Sequence, residues 1–156
     1  MMANTETRAM IDKFSTFELV WRTRVGGGGK THRNYLEFMI DGQCMSDYIN
    51  TGDYIGCLGW LPIEFERLLL GGLLLECPSV LGSTRYPIYI CPECGDMGCG
   101  AITVEIEKIS EGYIWKSFGY ENDYDRTMRD VESYKGVGPF QFRAAEYSNA
   151  LKERAK

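Results

Sequence analysis

Ala101-Ile102-Thr103-Val104-Glu105-Ile106-Glu107-Lys108-Ile109-Ser110-Glu111-Gly112-Tyr113-Ile114-Trp115-Lys116-Ser117-Phe118-Gly119-Tyr120 decides the fold. Apolar Ile102, Val104 and Ile106 alternate with Thr103, Glu105 and Glu107. That period of two puts one set on a buried sheet face and the other in water. Glu111-Gly112 then turns the chain. Tyr113, Trp115 and Ser117 follow in alternation with Ile114, Lys116 and Phe118. Two such runs joined by a short link predict antiparallel neighbours, because a tight turn costs little closure entropy. The β-prone run Ile88 to Cys91 lies upstream. With it, the region reads as a three-stranded meander.

The N-terminal half repeats this logic. Thr16 to Val25 alternates through Phe17, Leu19 and Trp21, and Tyr35 to Ile40 alternates through Leu36, Phe38 and Ile40. Asp41-Gly42 is a strong turn dipeptide. An antiparallel pair ending in a tight turn is expected here. Ser46 to Ile49 suits a short helical turn capped by the Ser46 hydroxyl. Leu61 to Leu70 reads as a helix with Pro62 in its first turn, Phe65, Leu68 and Leu69 on one face, and Gly71-Gly72 as its stop. Leu73 to Cys77 fits a short strand or a continuation of that buried turn, and Pro78 to Arg85 reads as loop. From Phe142 to Ala155, apolar Phe142, Tyr147, Ala150 and Leu151 recur at helical spacing. The expected architecture is one α+β domain over residues 1–156, with residues 1–13 loosely ordered. Its antiparallel sheet, a hairpin plus a meander, is packed with two or three helices.

The chain has 156 residues, enough for a core without a disulfide or metal to hold it. Polar Asn4 to Arg8 breaks the layout of a signal peptide. Leu68 to Leu75 is far too short to span a bilayer. A soluble cytoplasmic protein is expected, and its six cysteines are then thiols, metal ligands or buried apolar groups. Charge is uneven. Residues 91–125 carry eight acids against two bases, a net of −6. That argues against nucleic acid and for a basic protein partner.

Gly26 to Gly29 followed by Lys30-Thr31 resembles the end of a phosphate-binding loop. However, Arg24 occupies the position of the opening glycine, and the next segment alternates as a strand. A phosphate loop needs a helix there, whose N-terminal amides face the anion. A glycine-rich hairpin loop is the better reading. The lone histidine, His32, is expected on a loop, and no Gly-x-Ser-x-Gly elbow occurs, so no nucleophile–histidine set stands out.

Cys91-Pro92-Glu93-Cys94-Gly95-Asp96-Met97-Gly98-Cys99-Gly100 concentrates three thiols in ten residues. Cys91 and Cys94 have the spacing of half a zinc knuckle, with Cys99 as a third ligand and a fourth to be found elsewhere. Thiol exchange is an alternative, disfavoured by Glu93 and Asp96 beside the sulfurs. So is simple packing of small apolar groups in a glycine-rich bend. The second distinctive stretch, Phe118 to Asp125, offers Glu121, Asp123, Tyr124 and Asp125 as an acidic, tyrosine-bearing face for a partner.

The segments Leu36 to Gly42, Cys91 to Glu105 and Trp115 to Asp125 together resemble a family of small, uncharacterised bacterial cytosolic proteins. By general build the chain also resembles immunity proteins of bacterial toxin systems. That resemblance implies a non-catalytic module. It would neutralise a basic toxin domain, such as a nuclease, through Glu121, Asp123, Tyr124 and Asp125, with no cofactor. The alternative is a zinc-binding or thiol-redox protein using Cys91, Cys94 and Cys99.

Overall fold

A computed structural model describes residues 13–95, 97–122 and 129–155. The expectation for residues 1–13 therefore falls, apart from Lys13, outside the described residues. The elements run β1 (Phe17–Arg24), β2 (Arg33–Ile40), β3 (Gln43–Cys44), α1 (Met45–Tyr48), β4 (Ile55–Gly56), α2 (Ile63–Leu73), β5 (Arg85–Ile90), β6 (Ala101–Ile109), β7 (Gly112–Glu121), β8 (Arg129–Asp130), β9 (Phe140–Arg143) and α3 (Ala144–Ala155). Short 3₁₀ turns cover Met97–Cys99 and Glu132–Tyr134. The α+β class and the antiparallel hairpin and meander are as expected.

β1, β2 and β3 form one antiparallel sheet. Asp41 and Gly42 take the positive φ values, 53° and 77°, that a tight two-residue hairpin turn requires. The second sheet runs β4-β5-β6-β7. β8 pairs with the end of β7 at Tyr120 and Glu121, and β9 with its start, from Gly112 to Trp115. The sheets are stitched by Leu36 N–H donating to Leu58 O, while Cys57 N–H donates to Ile88 O, both over about 3 Å. β2 is thereby paired along both edges, by β1 on one side and by Leu58 on the other.

Two expectations for the helices are corrected. α1 starts one residue early, with Cys44 as its N-cap and no side-chain capping bond, so Ser46 is not the cap. Gly71 and Gly72 lie inside the last turn of α2 and do not stop it. A Cβ on Gly71 would sit 2.5 Å from Cys77 Sγ, and one on Gly72 would sit 3.0 Å from the Tyr86 ring. The glycines are there for close approach. The turn out of the helix falls at Leu75, with φ of 59°. Leu73 to Cys77 is thus a continuation of the helix end.

β9 was not anticipated. Phe142 belongs to this strand and not to the terminal helix. It faces the core with Phe17, Trp115 and Tyr147, whose rings lie 4.8–5.6 Å from that of Phe17 or Phe142 in tilted, edge-on and stacked pairs. Tyr147 on α3 accepts from Trp115 Nε1 at 3.0 Å and donates to Leu73 O at 2.6 Å. One residue of the C-terminal helix thereby ties α2 to the meander.

Candidate functional site

The loop between β5 and β6 holds the three clustered thiols. It leaves β5 at Ile90 and makes a tight turn, in which Gly95 N–H donates to Cys91 O at 3.1 Å. It re-enters the sheet at Ala101 through the 3₁₀ turn. Cys91, Cys94 and Cys99 converge, with all three sulfurs within 4.8 Å of one another. Cys94 and Cys99 are exposed, and their sulfurs approach to 2.8 Å. No fourth Cys, His, Asp or Glu among the described residues joins the group.

The positions of the loop are set by residues far away in sequence. Glu93 accepts from the Thr31 amide at 3.0 Å and the Thr31 hydroxyl at 2.6 Å, and its carboxylate lies 2.7 Å from Arg24. These contacts hold its pKa at about 2, the Thr31 hydroxyl being the largest cause, then the Thr31 amide and Arg24. Arg33 Nε donates to Pro92 O at 2.9 Å, and its guanidinium stacks over Trp60, 4.6 Å from the ring centroid. Trp60 is fixed in turn by donating Nε1–H to Gly56 O. Gly95, at φ 63°, packs so closely on Leu61 and Trp60 that a side chain would meet Leu61 Cδ2 at 2.9 Å. At the far end of the loop, Tyr54 and Tyr120 both donate to Cys99 O, at 2.8 and 3.3 Å. Burial first, then Tyr120, then negative charge on Cys91 and Cys99, push the Tyr54 phenol up, so it stays a donor.

Lys30-Thr31 is therefore part of a brace. The segment after it is β2, so it offers no helical anion site. Thr31 spends both its donors on Glu93.

Chemically, three thiols in one exposed turn match the donor set of a soft, thiophilic ion. Zinc bonded to sulfur at about 2.3 Å sets sulfurs about 3.8 Å apart in a tetrahedron. Cys94 and Cys99, at 2.8 Å, would have to part by about 1 Å to match that spacing. The other cysteines are elsewhere. Cys57 is fully buried, and burial pushes its thiol far up; Cys77 packs on Gly71; Cys44 lies near Arg22.

Of the four residues expected to face a partner, Glu121 is described. Its side chain is 12% exposed and turned toward Arg85, Nε to Oε1 3.9 Å. Arg85 is itself buried. It donates to Thr103 Oγ1, Thr103 O and Ser117 Oγ, and makes a very short bond to Ser117 O. Glu105 also lies near Arg85, and Glu107 pairs with Lys116. Much of the acidic charge seen in the sequence is thus answered within the fold. Asp123, Tyr124 and Asp125 lie outside the described residues.

No helix among the described residues is long and apolar enough to cross a membrane. No family model, curated protein or solved structure matches the chain.

Proposed function

We propose that the chain is a metal-binding protein in which Cys91, Cys94 and Cys99, as thiolates, hold one zinc ion. The convergence of three sulfurs within 4.8 Å carries this reading. Packing alone does not ask for it, because two of the three thiols are exposed and gain little from burial where they stand. The brace of Glu93, Thr31, Arg24 and Arg33 supports it further, since metal affinity rises when the ligands are pre-positioned. A tetrahedral zinc takes four ligands, and the described residues of the loop supply three of them.

The test is elemental analysis of reduced protein, with cobalt(II) substitution as the optical readout. About one zinc per chain is expected. Thiolate-to-cobalt charge-transfer absorption should weaken in Cys94→Ser while the far-ultraviolet dichroism stays unchanged, because the loop is clamped without the ion. Reduced protein that takes up neither ion stoichiometrically would overturn the reading. Thiol exchange uses the same side chains, and it would show instead as rapid disulfide formation in metal-free protein with no stoichiometric ion.

A second reading, a non-catalytic module that binds and neutralises a basic toxin domain, rests on the net −6 of residues 91–125, of which Arg24 and Arg85 answer a part within the fold. It predicts fast, salt-sensitive association that weakens when Glu121, Asp123 and Asp125 are neutralised and Tyr124 is truncated. Association unchanged by those four substitutions would remove the assigned face.

A further inference from the structure

Arg24 separates the thiol loop from a second feature, a concavity of about 210 Å³. Its wall includes Arg24, Tyr35, Glu37, Asp53, Tyr54 and Tyr89. Glu37 is the unusual member. It is 3% exposed, and its Oε2 accepts from the Tyr89 hydroxyl at 2.6 Å and from the Phe38 amide at 3.0 Å. Among the described residues no cationic side chain forms an ion pair with it. The one guanidinium on this wall, Arg24, is engaged by Asp53 at 3.0 Å, Glu93 at 2.7 Å and Thr31 O at 2.6 Å. The wall therefore has more negative than positive charge.

A carboxylate taken from water without a counter-charge is costly, so such groups are paired or meet a cation from outside. The Glu37 carboxylate is on the concavity wall, where a ligand can supply that charge. Three tyrosines share the wall, and aromatic rings attract weakly hydrated organic cations. Burial, and then Glu37 itself, keep Tyr89 in its phenol form and so a donor to the carboxylate. The volume falls below that of pockets for drug-sized ligands, and suits a head group.

We infer that this concavity binds a small methylated ammonium compound, with Glu37 as its counter-charge and Tyr35, Tyr54 and Tyr89 around its methyl groups. The site shares Arg24 and Tyr54 with the surroundings of the thiol loop, but no thiol lines it and its ligand needs no metal there.

Choline and its uncharged carbon isostere, 3,3-dimethylbutan-1-ol, differ in charge at nearly equal shape. Each is titrated into the full chain at matched ionic strength, and backbone amide resonances of residues 35–37, 53–54 and 89 are followed by NMR. Choline is expected to shift them saturably, with the alcohol at least about tenfold weaker, since charge is the difference between them. Glu37→Gln preserves shape and removes the buried charge, so the fold should hold while choline falls to the level of the alcohol. Tyr35→Leu keeps the charge and should weaken choline by about threefold or more. The same titration of Cys94→Ser protein should be unchanged, so loss of the metal reading leaves this one standing. No saturable response to choline, equal binding of the two compounds, or an undiminished response in Glu37→Gln would overturn the inference.

Discussion

Replacing Glu93 by Gln keeps the shape of the side chain and deletes its charge. The hydroxyl and amide of Thr31 then lose a charged acceptor, and Arg24 loses one of its two carboxylates. Charge-assisted hydrogen bonds of this kind are roughly twice as strong as neutral ones. Residues 91–100 should therefore exchange their amide hydrogens faster in Glu93→Gln, while the core strands keep their protection. Zinc affinity should fall by about 10- to 100-fold, the usual scale for groups that orient ligands without touching the ion. Mass-spectrometric hydrogen exchange and competitive chelator titration read these separately. Unaltered exchange in the loop would show that Glu93 does not hold it.

Between elements, α2 packs closely on the chain that leaves it. Gly71→Ala places a methyl 2.5 Å from Cys77 Sγ and should cost about 1–3 kcal/mol, the usual range for forcing an extra carbon into packed space. Cys77→Ala removes the offending sulfur. The double variant should therefore lose less stability than the sum of the two singles, as denaturant unfolding would show. Strict additivity would mean that the helix end shifts aside at no cost. This region also shows why some elements were hard to read from sequence. Gly71-Gly72 reads as a helix stop by propensity, and only the neighbours brought in by folding, Cys77 and Tyr86, reveal their use. Phe142 stands five and nine positions from Tyr147 and Leu151, off the helical period, and that break in phase marks the boundary between β9 and α3. β6 and β7, in contrast, were legible because their alternation and the Glu111-Gly112 turn agree with each other. Even there, the register shift between Thr103 and Glu105 was hidden, since a one-residue bulge leaves no compositional mark.

Across the whole molecule, the two halves of the chain are legible separately and their junction is not. The spacing of Cys91 and Cys94 announces paired thiols, but the arrival of Cys99 depends on how the turn at Met97–Cys99 folds back. Glu37 falls on the polar side of an alternating strand with Tyr35 and Met39, which reads as solvent-facing. It becomes buried because the second sheet, through Tyr89, covers that side of β2. Glu121 fails to stand out in the opposite way: a conspicuous acid in the sequence, it is turned in toward Arg85. The clamp on the thiol loop belongs to this junction, because Thr31 and Glu93 are 62 positions apart. A ten-residue peptide copied from the loop would have to freeze its own backbone on capturing an ion. In the intact chain that ordering is already done once the first hairpin has docked, so tight metal capture at the proposed site would arrive late, as a property of the finished molecule.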